Sequence, residues 1–491
     1  MTSPSEHVTP SEQHTLPPID THTVAALREL IAAKNPQFTA LSDSIWDVPE
    51  LNYEEIRSAA LHEAVLKQEG FRLTTGIAGM PTALLGEFGS GKPVIALLGE
   101  YDALPGLSQQ AGVAEPCPID AGGNGHGCGH NLLGTAALQA ATAVKDYLQQ
   151  HHLSGTVRFY GCPAEEGGSS KGFMVKEGVF DDVDIAICWH PATFTGVNSP
   201  DSLACNELNF YFKGRASHAA SSPHLGRSAL DAVELMNVGV NYMREHMPSS
   251  ARVHYAITDS GGHAPNVVQA NATVRYLVRA RQLPELHQLV KRVKKIAQGA
   301  ALMTETEVSW EVISGDANLL GNAPLEQRMH EHLLALGPIQ FDDADRAFAA
   351  KFQTAMSTED IANSYARFGV KPKSGESLHE GIYPLYSPDD SFIGSTDVGT
   401  VSWVVPTVQI RAATYAIGTP AHSWQLVAQG KAPAAHKGTA YAAEAMASLT
   451  VDLLQNPALV AQAKAELAEK LSVTPFENPI PDGVVPPIPQ V

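Results

Sequence analysis

Cys128 and His130 stand two residues apart in the Gly-rich string GHGCGHN (125–131). In a tight turn, thiolate and imidazole at that spacing can both face one ion. Two carboxylates, Glu165 and Glu166, follow the apolar run TVRFYGC (156–162) within PAEEGG (163–168). The apolar run VDIAICW (183–189) leads into His190, and PVIALLG (93–99) leads into Glu100 and Asp102. Cys, His and carboxylate donors together suit Zn²⁺ or a similar divalent metal. Taken singly, each has a plainer use. Cys-Gly-His is often a turn before a helix, Glu-Glu-Gly-Gly a solvated loop, and a His after an apolar strand a satisfied core residue. Their joint placement at the ends of apolar strands is what points to metal. A pair of ions about 3.5–4 Å apart polarises a carbonyl and lowers the pKa of water toward about 7. A carboxylate not committed to metal can then carry the proton. Adjacent Glu165 and Glu166 can divide these roles, one as ligand and one as base.

These residues need a scaffold that brings strand ends together. Short apolar runs alternate with helical patterns, among them the Ala-rich HNLLGTAALQAATAVKDYLQQ (130–150). Strand–helix–strand order with continuously apolar strands predicts an α/β fold with a mainly parallel sheet covered on both faces. Ligands bind such sheets in the crevice outside the carboxyl ends of the strands. Upstream, VAALRELIAAK and FTALSDSIWDV each have helical spacing, and EEIRSAALHEAVLKQEG is a further helix with Gly70 at its C-terminal cap. From residue 204 the texture changes to alternating strands and two helices in β-α-β-β-α-β order, the ferredoxin-like arrangement. The expected organisation is a disordered lead-in (1–20), a first catalytic part (21–203), an inserted domain (204–314) and a second catalytic part (315–491). The last part contains the strand PTVQIRAATYA (406–416), the helix AAHKGTAYAAEAMASLTVDLLQ and an extended Pro-rich tail.

The formal net charge of −19 over 491 residues argues against nucleic acid and anionic membranes as partners, since both require a basic face. No apolar run approaches the roughly 20 residues of a membrane span. The Pro/Ser-rich N-terminus lacks the basic start and apolar core of a secretory signal. Five dispersed Cys make no disulfide framework, so a cytoplasmic protein with reduced thiols is expected. Cys117, Cys162, Cys188 and Cys205 are read as structural.

Several strings, in order, resemble one metallopeptidase family, that of the aminoacylases, glutamate carboxypeptidases and auxin-conjugate amidohydrolases. They are GEYDALPGLSQ (99–109), GHGCGHNLLG (125–134), PAEEGG (163–168), SHAASSPHLGRSALDA (217–232), NVV with a later Arg (266–279), STDVG (395–399) and GTPAHSWQ (418–425). The resemblance runs from IWDVPELNYEE (45–55) to the last helix, and is greatest to the p-aminobenzoyl-glutamate hydrolase branch, in its B type. It implies Cys128, His130, Glu166, His190 and His422 as metal ligands, Glu165 as general base and Asp102 as an acid that orients the site. From the residues alone, His422 and His436 cannot be told apart. Glu100 stands where peptidase relatives have a metal-binding His, and Asn131 where the auxin-conjugate enzymes have Asp. The resemblance further implies that His218 reaches a neighbouring subunit's active site, and that Asn266 and Arg279 hold a substrate carboxylate. Their plainer readings are a helix-start His (with His224) and a surface strand Arg; His263 is a loop residue. The implied cofactor is a divalent metal, two ions per subunit, Zn or Mn. The implied reaction is hydrolysis of an N-acyl (aroyl) amino acid, p-aminobenzoyl-glutamate giving p-aminobenzoate and glutamate. Alternatives are a dipeptidase or N-acyl-amino-acid hydrolase of the same scaffold, or a mainly structural subunit. The implied assembly is a homodimer, or a heterodimer with a homologous subunit.

Overall fold

The structure, a computed structural model, describes residues 16–385 and 394–489. Most of the expected lead-in, residues 1–15, lies outside the described residues. Residues 16–20 carry no regular structure, and the Asp20 side chain accepts from the His22 backbone N–H to cap the first helix. That helix, Thr21–Trp46, is a single element where the sequence predicts two. Pro36 removes one backbone hydrogen bond inside it. The helix continues because Val24, Leu27, Ile31, Phe38, Leu41 and Ile45 form one buried stripe across both halves. Tertiary burial of an apolar face outweighs a local break.

Eleven strands are present among the described residues: β1 (Arg72–Thr75), β2 (Leu84–Ser90), β3 (Val94–Glu100), β4 (Gly155–Cys162), β5 (Ile185–Ala192), β6 (Gly196–Val197), β7 (Ala204–Lys213), β8 (Arg252–Asp259), β9 (Asn271–Ala280), β10 (Glu307–Asp316) and β11 (Thr407–Ala413). The larger sheet has the order β1-β2-β4-β3-β5-β11-β6. Its centre, β4-β3-β5-β11, is parallel, while β1, β2 and β6 pair antiparallel at the margins. The fold is therefore α/β with a mainly parallel sheet. Every residue of β3 is buried. Ile95 and Leu97 face a core built with the helices Thr21–Trp46, His130–His151 and Pro433–Gln455. Val94, Ala96 and Leu98 face the opposite core, with Phe173, Met174, Val398 and Val401. A strand covered on both faces has no reason to alternate, which is why VIALLG is continuously apolar.

The second sheet has the order β10-β7-β9-β8, antiparallel throughout. Helices Ala229–Met243 and Leu283–Thr304 cover one face. Strand β9 alternates as a one-sided strand must: Ala272, Val274, Tyr276, Val278 and Ala280 are buried, and the residues between them are not. Chain order and sheet order together are ferredoxin-like. The marginal strands β1, β2 and β6 and the helix Pro457–Val473 were not among the sequence expectations. β1 is short, polar and mostly exposed, so it carries little hydrophobic pattern. No helix among the described residues is long and apolar enough to cross a membrane.

Candidate metal centre and catalytic cavity

The carboxyl ends of the parallel strands and one C-terminal loop meet at a cavity of about 450 Å³. Strand β3 delivers Glu100 and then Asp102; β4 runs into the 163–168 loop; His190 lies on β5 itself. Cys128 and His130 flank Gly129, the residue before the helix His130–His151. Gly129 has φ +81°, and a Cβ there would lie 1.9 Å from the Tyr415 hydroxyl. Only glycine permits this turn. Three non-glycine residues at the same rim, Ala164 (φ +55°), Ser169 (φ +52°) and His422 (φ +54°), also hold left-handed backbone. Such strain persists where the surroundings over-determine it, commonly at functional sites. The His422 backbone N–H donates to Gly127 O at 2.9 Å, which docks the C-terminal loop onto the Cys128 turn.

The side chains interlock. His130 Nδ1 is 2.8 Å from Asp102 Oδ1, and Asp102 Oδ2 accepts the Glu166 backbone N–H at 2.8 Å. His190 Nδ1 is 2.8 Å from the Pro191 carbonyl, so Nδ1 carries the proton and Nε2 is left toward Cys128 Sγ, 3.3 Å away. His422 Nε2 lies 3.4 Å from Glu166 Oε2. Two sets of donor atoms result, Cys128/His130/His190 and Cys128/Glu166/His422, each within 4.8 Å. Cys128 belongs to both. His130 Nε2 and Glu166 Oε1 are buried with no hydrogen-bond partner among the described residues. A buried polar atom left without a partner costs about 1–3 kcal/mol. Soft and borderline donors converging on such atoms fit a divalent cation, and a shared thiolate fits two of them. The protons fixed on His130 Nδ1 and His190 Nδ1 are the outer hydrogen bonds that orient ligating imidazoles.

Glu100, His130 and Glu165 form a third group, in which Glu100 Oε2 lies 3.3 Å from His130 Nε2 while the other Glu100 oxygen is held by a lysine. Glu100 Oε1 is 2.6 Å from Lys171 Nζ, which is also 2.6 Å from Asp397 Oδ1. The Lys171 backbone N–H donates to Asp397 Oδ2 at 3.0 Å. Lys171 and Asp397 are fully buried. Although burial opposes it, Asp397 and Glu100 hold the Lys171 ammonium charged. Burial, then the Glu100 and Glu166 carboxylates, push the Glu165 carboxyl well above the usual range. Burial, then Arg411, keep His190 neutral, the form in which imidazole ligates metal. Burial, then Glu166, push the Cys128 thiol up, an effect that a coordinated cation reverses.

The structure thus brings together Asp102, Cys128, His130, Glu165, Glu166, His190 and His422. Arg279 lines the same cavity and donates to Ser395 Oγ at 2.8 Å. His218 and Asn266 do not line it. Both are exposed on the second unit, and His218 Nδ1 accepts the backbone N–H groups of Ala220 and Ser221. Asn131 points away from the donors and bonds Ser42 Oγ and Gly430 O. His436 pairs with Asp43 at 2.9 Å, and His263 is exposed. Sequence reasoning missed Lys171, Asp397, Arg367 and Arg411. Asp397 lay within the STDVG string; Lys171 and Arg411 were single basic residues in buried stretches, a signal that could have been followed.

A family model described as peptidase family M20/M25/M40 matches residues 96–364. The B-type chain of the p-aminobenzoyl-glutamate hydrolase of Escherichia coli (strain K12) is 47% identical over 470 residues, 93% of this chain and 97% of that protein. The Xaa-Arg dipeptidase of Mus musculus is 28% identical over 446 residues, 88% of this chain and 89% of that protein. Among solved structures, an aminobenzoyl-glutamate utilization protein from Klebsiella pneumoniae superposes with TM-score 0.58 at 17% identity, covering 87% of this chain and 98% of that one. At that identity the likeness is one of fold.

Proposed function

The chain belongs to peptidase family M20/M25/M40 and is a hydrolase of amide bonds; we propose that its substrate is an N-aroyl amino acid, p-aminobenzoyl-glutamate, cleaved to p-aminobenzoate and glutamate. The observation that carries this reading is the position of Glu165 beside converging donors whose His130 Nε2 and Glu166 Oε1 have no hydrogen-bond partner among the described residues. The choice of substrate is supported by the identity with the Escherichia coli hydrolase along nearly the whole of both chains.

The centre takes divalent metal. In this reading it holds two ions per subunit, Zn or Mn. Cys128, His130 and His190 hold one; Cys128, Glu166 and His422 hold the other. When bound, such cations supply Lewis-acid polarisation of the amide carbonyl and acidify water. Glu165 Oε2 takes the proton of the attacking water and delivers it to the departing amide nitrogen. Asp102 keeps His130 in one tautomer and fixes the Glu166 backbone. Arg279 binds a substrate carboxylate through its guanidinium fork. His218 and Asn266 complete the site from a neighbouring subunit, with His218 donating to the carbonyl oxygen.

The assembly is a dimer of this chain or a heterodimer with a homologous subunit, with the 204–314 unit as the pairing surface. Among the described residues strand β8 pairs only with β9, which leaves its other edge open there. Leu235, Val238 and Tyr242 are exposed on the neighbouring helix Ala229–Met243. The Escherichia coli relative is itself named as one subunit of its hydrolase. The test of the catalytic assignment is Glu165→Gln, which keeps the shape and removes the base. Turnover of p-aminobenzoyl-glutamate is expected to fall about 10²–10⁴-fold with metal content unchanged. A variant that hydrolyses near the wild-type rate overturns the assignment.

A further inference from the structure

Among the described residues, three side chains that line the cavity hold a buried polar atom with no hydrogen-bond partner: Glu166, Tyr415 and Asp316. Glu166 belongs to a metal-donor set, and the Tyr415 hydroxyl packs over the Gly129 turn beside Cys128. Asp316 belongs to none of the donor sets. It is the last residue of β10, on the cavity wall that the second sheet contributes. In register it pairs with Cys205 of β7, and Cys205 pairs with Arg279 of β9. Paired positions on adjacent strands project from the same face, and helices cover the opposite face of this sheet. Ser314, Glu207 and Leu277 form the next row on the same wall. Asp316 is 7% exposed. Its Oδ2 accepts from the Cys205 thiol at 3.2 Å. A carboxylate offers about four acceptor positions, and Cys205 and the neighbouring Ser169 side chain use at most two of them. The cavity wall therefore holds a nearly dry acceptor that is short of a donor, which is costly until one arrives.

The chemistry of the substrate identifies the missing donor. p-Aminobenzoyl-glutamate carries hydrogen-bond donors at only two places, the amide N–H and the para-amino group. The amide nitrogen has to lie at Glu165, which delivers a proton to it. The carboxylates are acceptors and seek cations such as Arg279. One strand separates Arg279 from Asp316, about 10 Å between backbones at about 4.8 Å per strand. That spacing keeps the substrate carboxylates off the Asp316 carboxylate and leaves this end of the wall to the neutral aroyl group. We infer that Asp316 accepts a hydrogen bond from the para-amino group, and so makes the enzyme select an amino-bearing aroyl group over a plain benzoyl group. This rests on the hydrolase reading above.

The experiment compares p-aminobenzoyl-glutamate with benzoyl-glutamate, which differ only in the amino group. Wild-type enzyme is expected to favour the amino compound in kcat/KM by at least about tenfold, because a buried acceptor left without its donor penalises the analogue. Asp316→Ala and Asp316→Leu, which remove the acceptor, are each expected to lower that ratio by at least about tenfold. The intrinsic reactivity of the two amides cancels in the comparison between variants. A wild-type ratio near one overturns the inference. So does a ratio unchanged in a folded variant, or an equal loss on both substrates, which would give Asp316 to the shared amide N–H or to the wall alone. Circular dichroism identifies a variant that has not folded, and the other then decides. Calorimetric titration with p-aminobenzoate and with benzoate separates this inference from the hydrolase reading. If neither amide is hydrolysed, the substrate reading fails. p-Aminobenzoate binding at least about tenfold tighter than benzoate in wild type, with the difference lost in Asp316→Ala, still supports the contact, and equal or absent binding overturns it.

Discussion

At the scale of single residues, Asp102 controls two donors with one buried carboxylate: His130 through Nδ1 and Glu166 through its backbone N–H. Asp102→Asn keeps the size but offers an amide to one of these two donors. Metal affinity is expected to fall about 10–100-fold, as for other residues that orient ligands, measured by competition with a chromogenic chelator. Unchanged affinity would show that Asp102 does not set the ligand geometry. Part of this arrangement is legible in the sequence. Cys128 and His130 advertise themselves by spacing, and Glu165, Glu166 and His190 by following apolar strands. His422 has no such signal and rested on the family resemblance alone. Lys171 and Asp397 are a buried ion pair 226 residues apart, and neither residue announces the other. Arg411 becomes visible only once the register of β11 against β5 is known.

At the scale of elements, the 163–168 loop is gripped by the segment before the helix Ile56–Gln68. Glu55, fully buried, accepts the backbone N–H groups of Ala164 at 2.8 Å and Tyr53 at 2.9 Å, and the Thr82 hydroxyl at 3.0 Å. Tyr53, itself at φ +63°, donates its hydroxyl to Gly168 O at 2.7 Å. These contacts bracket Glu165 and Glu166 and hold Ala164 in its left-handed backbone. Burial, then the Asp102 carboxylate, push Glu55 up to about 8. An uncharged amide should therefore serve nearly as well as the carboxyl. Glu55→Gln is expected to keep stability and most activity. Glu55→Ala strands buried donors and is expected to cost about 3 kcal/mol, read by urea titration, together with a lower kcat. Equal behaviour of the two variants would contradict the clamp. The central strands were readable because burial on both faces leaves an unbroken apolar run. The strands of the second sheet were readable because one-sided burial leaves alternation. β1, β2 and the continuity of Thr21–Trp46 through Pro36 were not, because marginal pairing and helix-on-helix packing leave little trace in local pattern.

At the scale of the whole molecule, the cavity and the exposed His218 sit on different parts of one chain, and the proposed assembly joins them between subunits. Mixing an inactive Glu165→Gln chain with an inactive His218→Ala chain under conditions of subunit exchange is expected to restore activity. In the mixed dimer, one site has a wild-type base and a wild-type His218 at once. No recovery, with exchange demonstrated by mass, would show that His218 does not act across an interface. Beneath this lies the claim that distant segments close around divalent cations. Cys128 is common to both donor sets, whereas His190 and His422 each belong to one. The most direct measurement is metal content by mass spectrometry of the purified wild type, Cys128→Ala, His190→Ala and His422→Ala, alongside hydrolysis before and after chelation. The account expects about two ions per wild-type chain, partial loss in each His variant, loss of both in Cys128→Ala, and hydrolysis abolished by the chelator. A wild-type chain that holds no divalent metal and hydrolyses equally well after chelation would contradict it.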